Sequence, residues 1–409
     1  MSRTGNRRSL VVALAVVSAL WWAVSPAGAA GWSSQTVDGN GGSGGQLVGE
    51  MLGGTRASVW IAGELHTFYT DATQGNLRHA VKSGNVWHYE TLDGAGGPHG
   101  RVDSWVGGDP TAIVYNGLPY VFYRDDDAGT LRMGTWGGDD WYFATLDGEG
   151  GPNGRVDNEG GVGTGLEPTA LVYGGLPYVF YWDNRDGSHT LRMGTWGGDD
   201  WYFATLDGEG GPNGRVSASV GGHPSALVYA GLPYVFYDDG GNGNVRLATW
   251  GGTDWFFGVL DGAGGPNGRV DGSVDEPSAV LYGGLPYVFY TDSSSGEQIR
   301  MATWGGSDWF YMTLDGEGGP NGRVDEDVWG SSALISGGLP YVFYNADGSG
   351  IRMATWGGSD WFFGAVPVTG GPNQPAHPDA VDGETGPAFV YEEDSYAADL
   401  DFAWWNPGA

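Results

Sequence analysis

The chain repeats itself. Leu131 to Val156 reads LRMGTWGGDDWYFATLDGEGGPNGRV, and Leu191 to Val216 repeats those 26 residues unchanged. Looser copies begin at Val245, Ile299 and Ile351. A repeat of this kind is one supersecondary unit. A row of such units folds as one stacked body, however long the chain runs. That constraint overrides the two or three domains that 409 residues would otherwise suggest.

Each unit holds four short segments. In the second unit they are Thr111 to Tyr115, Pro119 to Tyr123, Leu131 to Trp136 and Trp141 to Leu146. All are rich in β-branched and aromatic residues. Asn116-Gly117, Asp127-Ala128-Gly129 and Gly137-Gly138-Asp139-Asp140 separate them, and these are hairpin turns. The segments read as apolar on both faces, which predicts that both faces are covered. No useful helical period follows the first 30 residues. The tyrosine that ends the second segment recurs as Tyr69, Tyr123, Tyr181, Tyr237, Tyr290, Tyr344 and Tyr391, at spacings of 54, 58, 56, 53, 54 and 47. Seven four-stranded antiparallel units of this size predict an all-β, seven-bladed β-propeller.

The two ends predict how the ring closes. The last unit has Pro387 to Tyr391 and Leu400 to Trp405 but no fourth strand. Thr36 to Leu47, TVDGNGGSGGQL, aligns without a gap to TLDGEGGPNGRV at Thr145 to Val156. The N-terminal strand is therefore expected to complete the last blade. Closure removes the sheet edges that would template aggregation.

The first 30 residues are expected to be a secretory signal peptide. Arg3, Arg7 and Arg8 precede an apolar run from Leu10 to Val24 and an Ala27-Gly28-Ala29 cleavage site. Arg7-Arg8 leaves Sec and twin-arginine export both open. One propeller domain at 31–409 is then expected outside the cell, with no membrane partner after cleavage, and a retained membrane anchor is the alternative. The net charge is −31, and removing residues 1–30 takes it to about −34. Such a surface repels nucleic acid, whose binding needs Lys and Arg. The chain has no cysteine, so its core holds it without disulfides.

The glycine-rich loop Asp147 to Arg155 and its copies reads as the crossover between blades, where glycine permits positive φ. No cofactor is expected. Calcium, held by loop acids and glycine carbonyls, is the alternative raised, although the acid spacing does not match a calcium loop. The loop arginines Arg101, Arg155, Arg215, Arg269 and Arg323 are expected to pair with repeat acids such as Asp93 or Asp147. The paired tryptophans read as inter-blade packing, with some free at a rim to stack on a sugar.

The order PYVFYRD…GTLRMGTWGGDDWY resembles the repeat of the fucose-binding lectin propellers of fungi and bacteria. There, I–R–V–Y–Y–Q–D is followed by G–x–I–R–E and a W-x-G-x-x-W tail. The resemblance runs through all seven units with loose motifs. It implies a propeller whose sugar sites use an arginine on the second strand, a glutamate on the third and an aromatic residue of the neighbouring blade. The matching arginine positions hold Tyr120, Tyr178, Tyr234, Tyr287 and Tyr341, and the glutamate positions hold Met133, Met193, Leu247, Met301 and Met353. The implied fold carries over and the implied fucose specificity does not. The candidate ligand-binding rims are these five tyrosines with Trp136, Trp196, Trp250, Trp304 and Trp356.

The first unit departs from the pattern. It has His66 and His79 at the two sugar-binding positions, and His88 and Glu90 where the second unit has Tyr142 and Ala144. These four are the remaining candidates, for a polar ligand or for a metal whose identity stays open. The plain alternative is a wetter core beside the closure. Uniform blades suit multivalent binding, so a lectin-like module with glycan partners is the leading reading. A structural or protein-interaction scaffold comes second and a glycoside hydrolase third. No catalytic residue is assigned, since no nucleophile elbow or H-E-x-x-H motif is present. Oligomeric state is left open.

Overall fold

The computed structural model describes residues 31–39, 47, 56–157, 166–184, 189–294, 296–368, 378–393 and 399–406. The expected signal peptide lies outside them. The described residues form seven four-stranded antiparallel sheets, the blades of a propeller. Blade one is β2 (Arg56–Ile61), β3 (Glu64–Asp71), β4 (Asn76–Ser83) and β5 (Val86–Asp93). Blade two is β6 (Val106–Tyr115), β7 (Leu118–Asp125), β8 (Thr130–Trp136) and β9 (Trp141–Asp147). Blades three to six, β10–β13, β14–β17, β18–β21 and β22–β25, occupy 169–207, 220–261, 274–315 and 328–365. Blade seven is β26 (Asp379–Asp382), β27 (Pro387–Glu393) and β28 (Asp399–Trp405), joined by β1 (Trp32–Asp38).

The closure is as expected. β1 pairs antiparallel with β28, Trp32 opposite Trp405 and Thr36 opposite Asp401. The gap-free alignment with the crossover loop also holds in detail. Asp38 Oδ1 accepts the Leu47 amide at 2.7 Å, as Asp147 Oδ1 accepts the Val156 amide at 2.9 Å. Trp32–Asp38 thus serves as the fourth strand of blade seven.

The sheets form where alternation meets turn chemistry. Asn116 and Gly117 sit at φ 52° and 78°, the pair of positive angles that a two-residue hairpin needs. Val121, Phe122 and Tyr123 on β7 are wholly buried, as are their counterparts in other blades. Trp141, Trp201, Trp255, Trp309 and Trp361 are buried between blades. Each tryptophan removes roughly 150–250 Å² from water, about 4–6 kcal/mol of transfer free energy at ~25 cal/mol per Å². The outer strand differs from the sequence expectation of full cover. On β9, Tyr142 and Ala144 are exposed while Trp141 and Phe143 are buried, so this strand is half-open.

A crossover loop protects that outer edge. The Phe203 amide donates to the Asn153 carbonyl at 2.7 Å, and the Phe143 amide to the His99 carbonyl at 2.7 Å. The approach is close enough to require glycine. A Cβ on Gly154, which sits at φ 81°, would lie 2.1 Å from the Phe203 carbonyl oxygen. Loop backbone therefore occupies the hydrogen-bonding positions that a foreign strand would seek.

A buried polar clasp repeats across six interfaces. Between blades one and two, Asp93 at the end of β5 faces Tyr123 on β7 and Arg132 on β8. The Tyr123 hydroxyl donates to Asp93 Oδ2 at 2.5 Å, and Arg132 Nη2 donates to the same oxygen at 2.7 Å. Asp93 Oδ1 accepts the Gly94 and Val102 amides at 2.9 Å each. The carboxylate is thus fully used. Asp147 with Tyr181 and Arg192, and Asp207 with Tyr237 and Arg246, repeat the arrangement. Asp261, Asp315 and Asp38 head the other three clasps. Burial first, and the facing carboxylate second, push the Tyr123 phenol far above its ordinary pKa, so it remains a donor. At the entry to blade seven the pattern changes: Pro367 follows Val366 where the aspartate would stand, and Asp401 replaces the arginine.

Candidate functional site

The five tyrosine–tryptophan rims lie between blades. Ile113, Tyr120, Thr135 and Tyr142 pair directly across β6 to β9. Directly paired residues share one face of a sheet, so these four form a row on the face toward blade three. Trp196 of blade three packs against the same inter-blade core as Tyr120. The same grouping joins Tyr178 with Trp250, Tyr234 with Trp304, and Tyr287 with Trp356. Tyr341 shares its interface with Trp32, supplied by the N-terminal strand. Trp136 packs into the interface between blades one and two.

All ten rings are half-buried. They keep an edge or face at the surface rather than vanishing into the core. Tyr115 meets Tyr120 edge-on at 5.5 Å, and Trp196 meets Trp201 at 6.1 Å. These contacts hold the rings in fixed orientations. Polar groups are few. Thr135 Oγ1 is already spent, donating to the Pro119 carbonyl at 3.0 Å. The repeated clefts are therefore aromatic platforms with a phenol, suited to an amphipathic ring and not to a charged ligand.

The first cleft has another chemistry. His66 stands where Tyr120 stands, His79 where Met133 stands, and Glu90 where Ala144 stands. The register places His79 opposite Glu90, and His66 diagonal to His79. His66 Nδ1 lies 2.9 Å from His79 Nε2, and His79 Nδ1 lies 2.9 Å from Glu90 Oε1. The Trp141 indole of blade two donates to the same Glu90 oxygen at 3.1 Å. Phe68 stacks on the His79 ring at 4.6 Å, while Trp141 abuts it edge-on at 5.4 Å. Burial, reinforced by His79 alongside, pushes the His66 pKa down to about 4. Burial pushes Glu90 up, but hydrogen bonds from His79 and Trp141 more than offset it and leave the carboxyl below its ordinary value.

His88 does not join this chain. It shares a row with His66, but Val81 stands between them, and its side chain is exposed. Both ring nitrogens of His79 face other side chains, so a metal would have to break the array. Among the described residues no three His, Asp or Glu converge as a metal cage. The crossover loop is equally occupied, since Asp147 spends both oxygens on loop amides, Tyr181 and Arg192.

The loop arginines take other partners than the expected ones. Arg101 pairs with Asp140 at 2.9 Å, Arg155 with Asp200 at 2.8 Å and Arg215 with Asp254 at 2.9 Å. Each reaches the hairpin of the next blade, because Asp93 and Asp147 are already held by the strand arginines. The strand arginine clasp escaped the sequence reading. Its signal was available: a tyrosine, an arginine and an aspartate recur at fixed offsets in six units, and at the seventh the arginine and the aspartate lapse together while Tyr391 stays. The first strands line the axis, where a second polar group was also missed. His223 Nδ1 lies 2.6 Å from Asp238, whose other oxygen accepts the Glu276 amide at 3.0 Å.

No protein-family model matches the chain, and no curated protein matches it in sequence. Solved structures do. A variant of Aleuria aurantia lectin in complex with alpha-methyl-L-fucoside is similar at 19% identity and TM-score 0.48, covering 80% of this chain and 98% of that one. A structure described as a fungal lectin with a six-bladed β-propeller fold, also from Aleuria aurantia, is similar at 19% identity and TM-score 0.47, covering 78% of this chain and 96% of that one. A protein of unknown function from Dyadobacter fermentans is similar at 12% identity and TM-score 0.52, covering 92% of this chain and all of that one. The likeness is one of fold.

Proposed function

We propose that the chain is a secreted, multivalent carbohydrate-binding propeller. The observation that carries this reading is the set of half-buried tyrosine–tryptophan clefts between blades, held in fixed orientation and open at the rim. Such a cleft accepts the C–H face of a sugar ring, and equal weak sites gain by avidity on a repetitive glycan. The arginine-rich start and apolar run of the first 30 residues support export. Fucosides are the ligands named for the Aleuria lectin, but here the two polar positions are tyrosine and methionine, so a different sugar is expected.

A glycan array probed with the purified chain tests the proposal. Binding to a defined group of glycans, weakened by Tyr178→Ala and Trp250→Ala, is the expected result. Silence across neutral and acidic glycans would overturn it. One observation favours a protein-interaction scaffold as the second reading. Tyr142, Tyr202, Phe256, Phe310 and Phe362 expose one ring per blade on the outer strand.

A further inference from the structure

Asparagine followed by glycine readily loses its side-chain amide, because glycine has no Cβ to shield the nitrogen that attacks it. The chain has seven such pairs, beginning at Asn40, Asn116, Asn153, Asn213, Asn242, Asn267 and Asn321. Asn40 lies outside the described residues. In four of the others the carboxamide is tied to the hairpin of the next blade. Asn153 Nδ2 donates to Asp200 at 2.9 Å, Asn213 Nδ2 to Asp254 at 2.8 Å, Asn267 Nδ2 to Asp308 at 2.5 Å and Asn321 Nδ2 to Asp360 at 2.6 Å. Asn242 Nδ2 donates to Asp239 at 2.9 Å. Asn116 differs: its side chain is exposed and makes no hydrogen bond among the described residues. The glycines differ in the same way. A Cβ on Gly154, Gly214, Gly268 or Gly322 would lie 2.1, 2.1, 2.9 or 2.5 Å from a carbonyl oxygen of the next blade's outer strand. One on Gly243 would lie 3.3 Å from Ser273, whereas one on Gly117 would meet nothing within 4 Å.

We infer that Asn116 is a site of spontaneous covalent modification, converted to aspartate and isoaspartate by attack of its own chain. The Gly117 backbone nitrogen gives up its proton to the solvent and bonds to Asn116 Cγ. The Cγ–Nδ2 bond breaks, and the amide takes up a proton and leaves as ammonia. One water molecule then opens the cyclic imide. Attack at the side-chain carbonyl yields aspartate, and attack at the main-chain carbonyl leaves the chain running through Cγ as isoaspartate. Nothing is oxidised or reduced, and water is the one co-reactant. The reaction needs Asn116 Cγ to swing over the Gly117 nitrogen. At the crossover pairs the same swing breaks a bond to an ionised aspartate, beside a glycine hemmed in by the next blade. At Asn116 neither obstacle stands. The consequence is confined to one blade, because blades three, five and six turn on Gly174-Gly175, Gly283-Gly284 and Gly337-Gly338, and blade four on Ala230-Gly231. Isoaspartate adds a methylene and a negative charge to a two-residue turn whose residues both sit at positive φ. Tyr115 pairs with Leu118 across that turn and meets Tyr120 edge-on at 5.5 Å, so the modification disturbs the tyrosine rim of blade two. The chemistry is independent of whether that rim binds saccharide.

The test is incubation of the folded chain in warm, mildly alkaline buffer, followed by peptide mapping with mass spectrometry and labelling by an isoaspartate-specific methyltransferase. A parallel sample in guanidinium chloride gives the rate of each pair without a fold. In the folded chain Asn116 should convert about tenfold or more faster than the four crossover asparagines and Asn242, the factor that one hydrogen bond to a charged group makes in a rate. Asn116→Gly, which gives blade two the turn that blades three, five and six carry, should remove that product and leave the slow conversion elsewhere as it was. Equal rates at Asn116 and the crossover asparagines in the folded chain would overturn the inference. So would a folded chain that keeps Asn116 intact while the unfolded chain converts it.

Discussion

The cleft between blades one and two and the cleft between blades two and three share one skeleton and differ at the rim. Asp93, Tyr123 and Arg132 clasp the first, and Asp147, Tyr181 and Arg192 clasp the second, with the same bonds. Outside that clasp, His66, His79 and Glu90 in one are Tyr120, Met133 and Ala144 in the other. The shared part explains why the blades hold together. The differing part has no structural need, because blades two to six pack without it. Stability and recognition therefore occupy separate layers of the same interface, the clasp inside and the rim outside.

The largest expected effect is on the inner layer. Asp93→Ala and Asp147→Ala each strand a buried arginine and two loop amides. Each should cost about 3–5 kcal/mol, the penalty for breaking a buried, hydrogen-bonded ion pair. Equal losses in urea unfolding would confirm that the two clefts share a skeleton, and unequal ones would break the comparison. Tyr123→Phe and Tyr181→Phe remove one donor from the same carboxylates and should cost about 1–3 kcal/mol each.

A smaller effect separates the rims. Burial and His79 hold the folded-state pKa of His66 at about 4, against 6.5 for the free side chain. Between those values the unfolded chain binds a proton that the folded chain does not, so stability falls as the solution is acidified from pH 6.5 to about 4. Glu90 acts in the same sense lower down, since its depressed carboxyl stabilises only while ionised. The His66→Tyr variant should show a flatter melting temperature across this window than the parent chain. Parallel curves would remove His66 from the account.

Much of this architecture is legible in the sequence because repetition multiplies weak signals. One tyrosine per unit counts the blades. The alignment of Thr36 with Thr145 predicts a closure that β1 and β28 then make residue by residue. What the sequence leaves open is choice among equals. Arg155 has several aspartates within reach along the chain. Only the fold shows that Asp147 is already engaged by Arg192 and that Asp200 of the next blade is free to take the loop. His88 illustrates the same limit at the candidate site. It lies close to the other histidines in sequence and shares a row with His66, yet an intervening strand keeps it out of the array. Outer-strand exposure was also hidden, since Tyr142 and Phe143 look alike in composition and point to opposite faces.

The central claim is that the rims bind saccharide as an array laid over an invariant clasp. Counting bound saccharide per chain by native mass spectrometry, with a glycan selected on the array, tests it most directly. More than one molecule per chain is expected. A chain that takes up none at saturating glycan contradicts it.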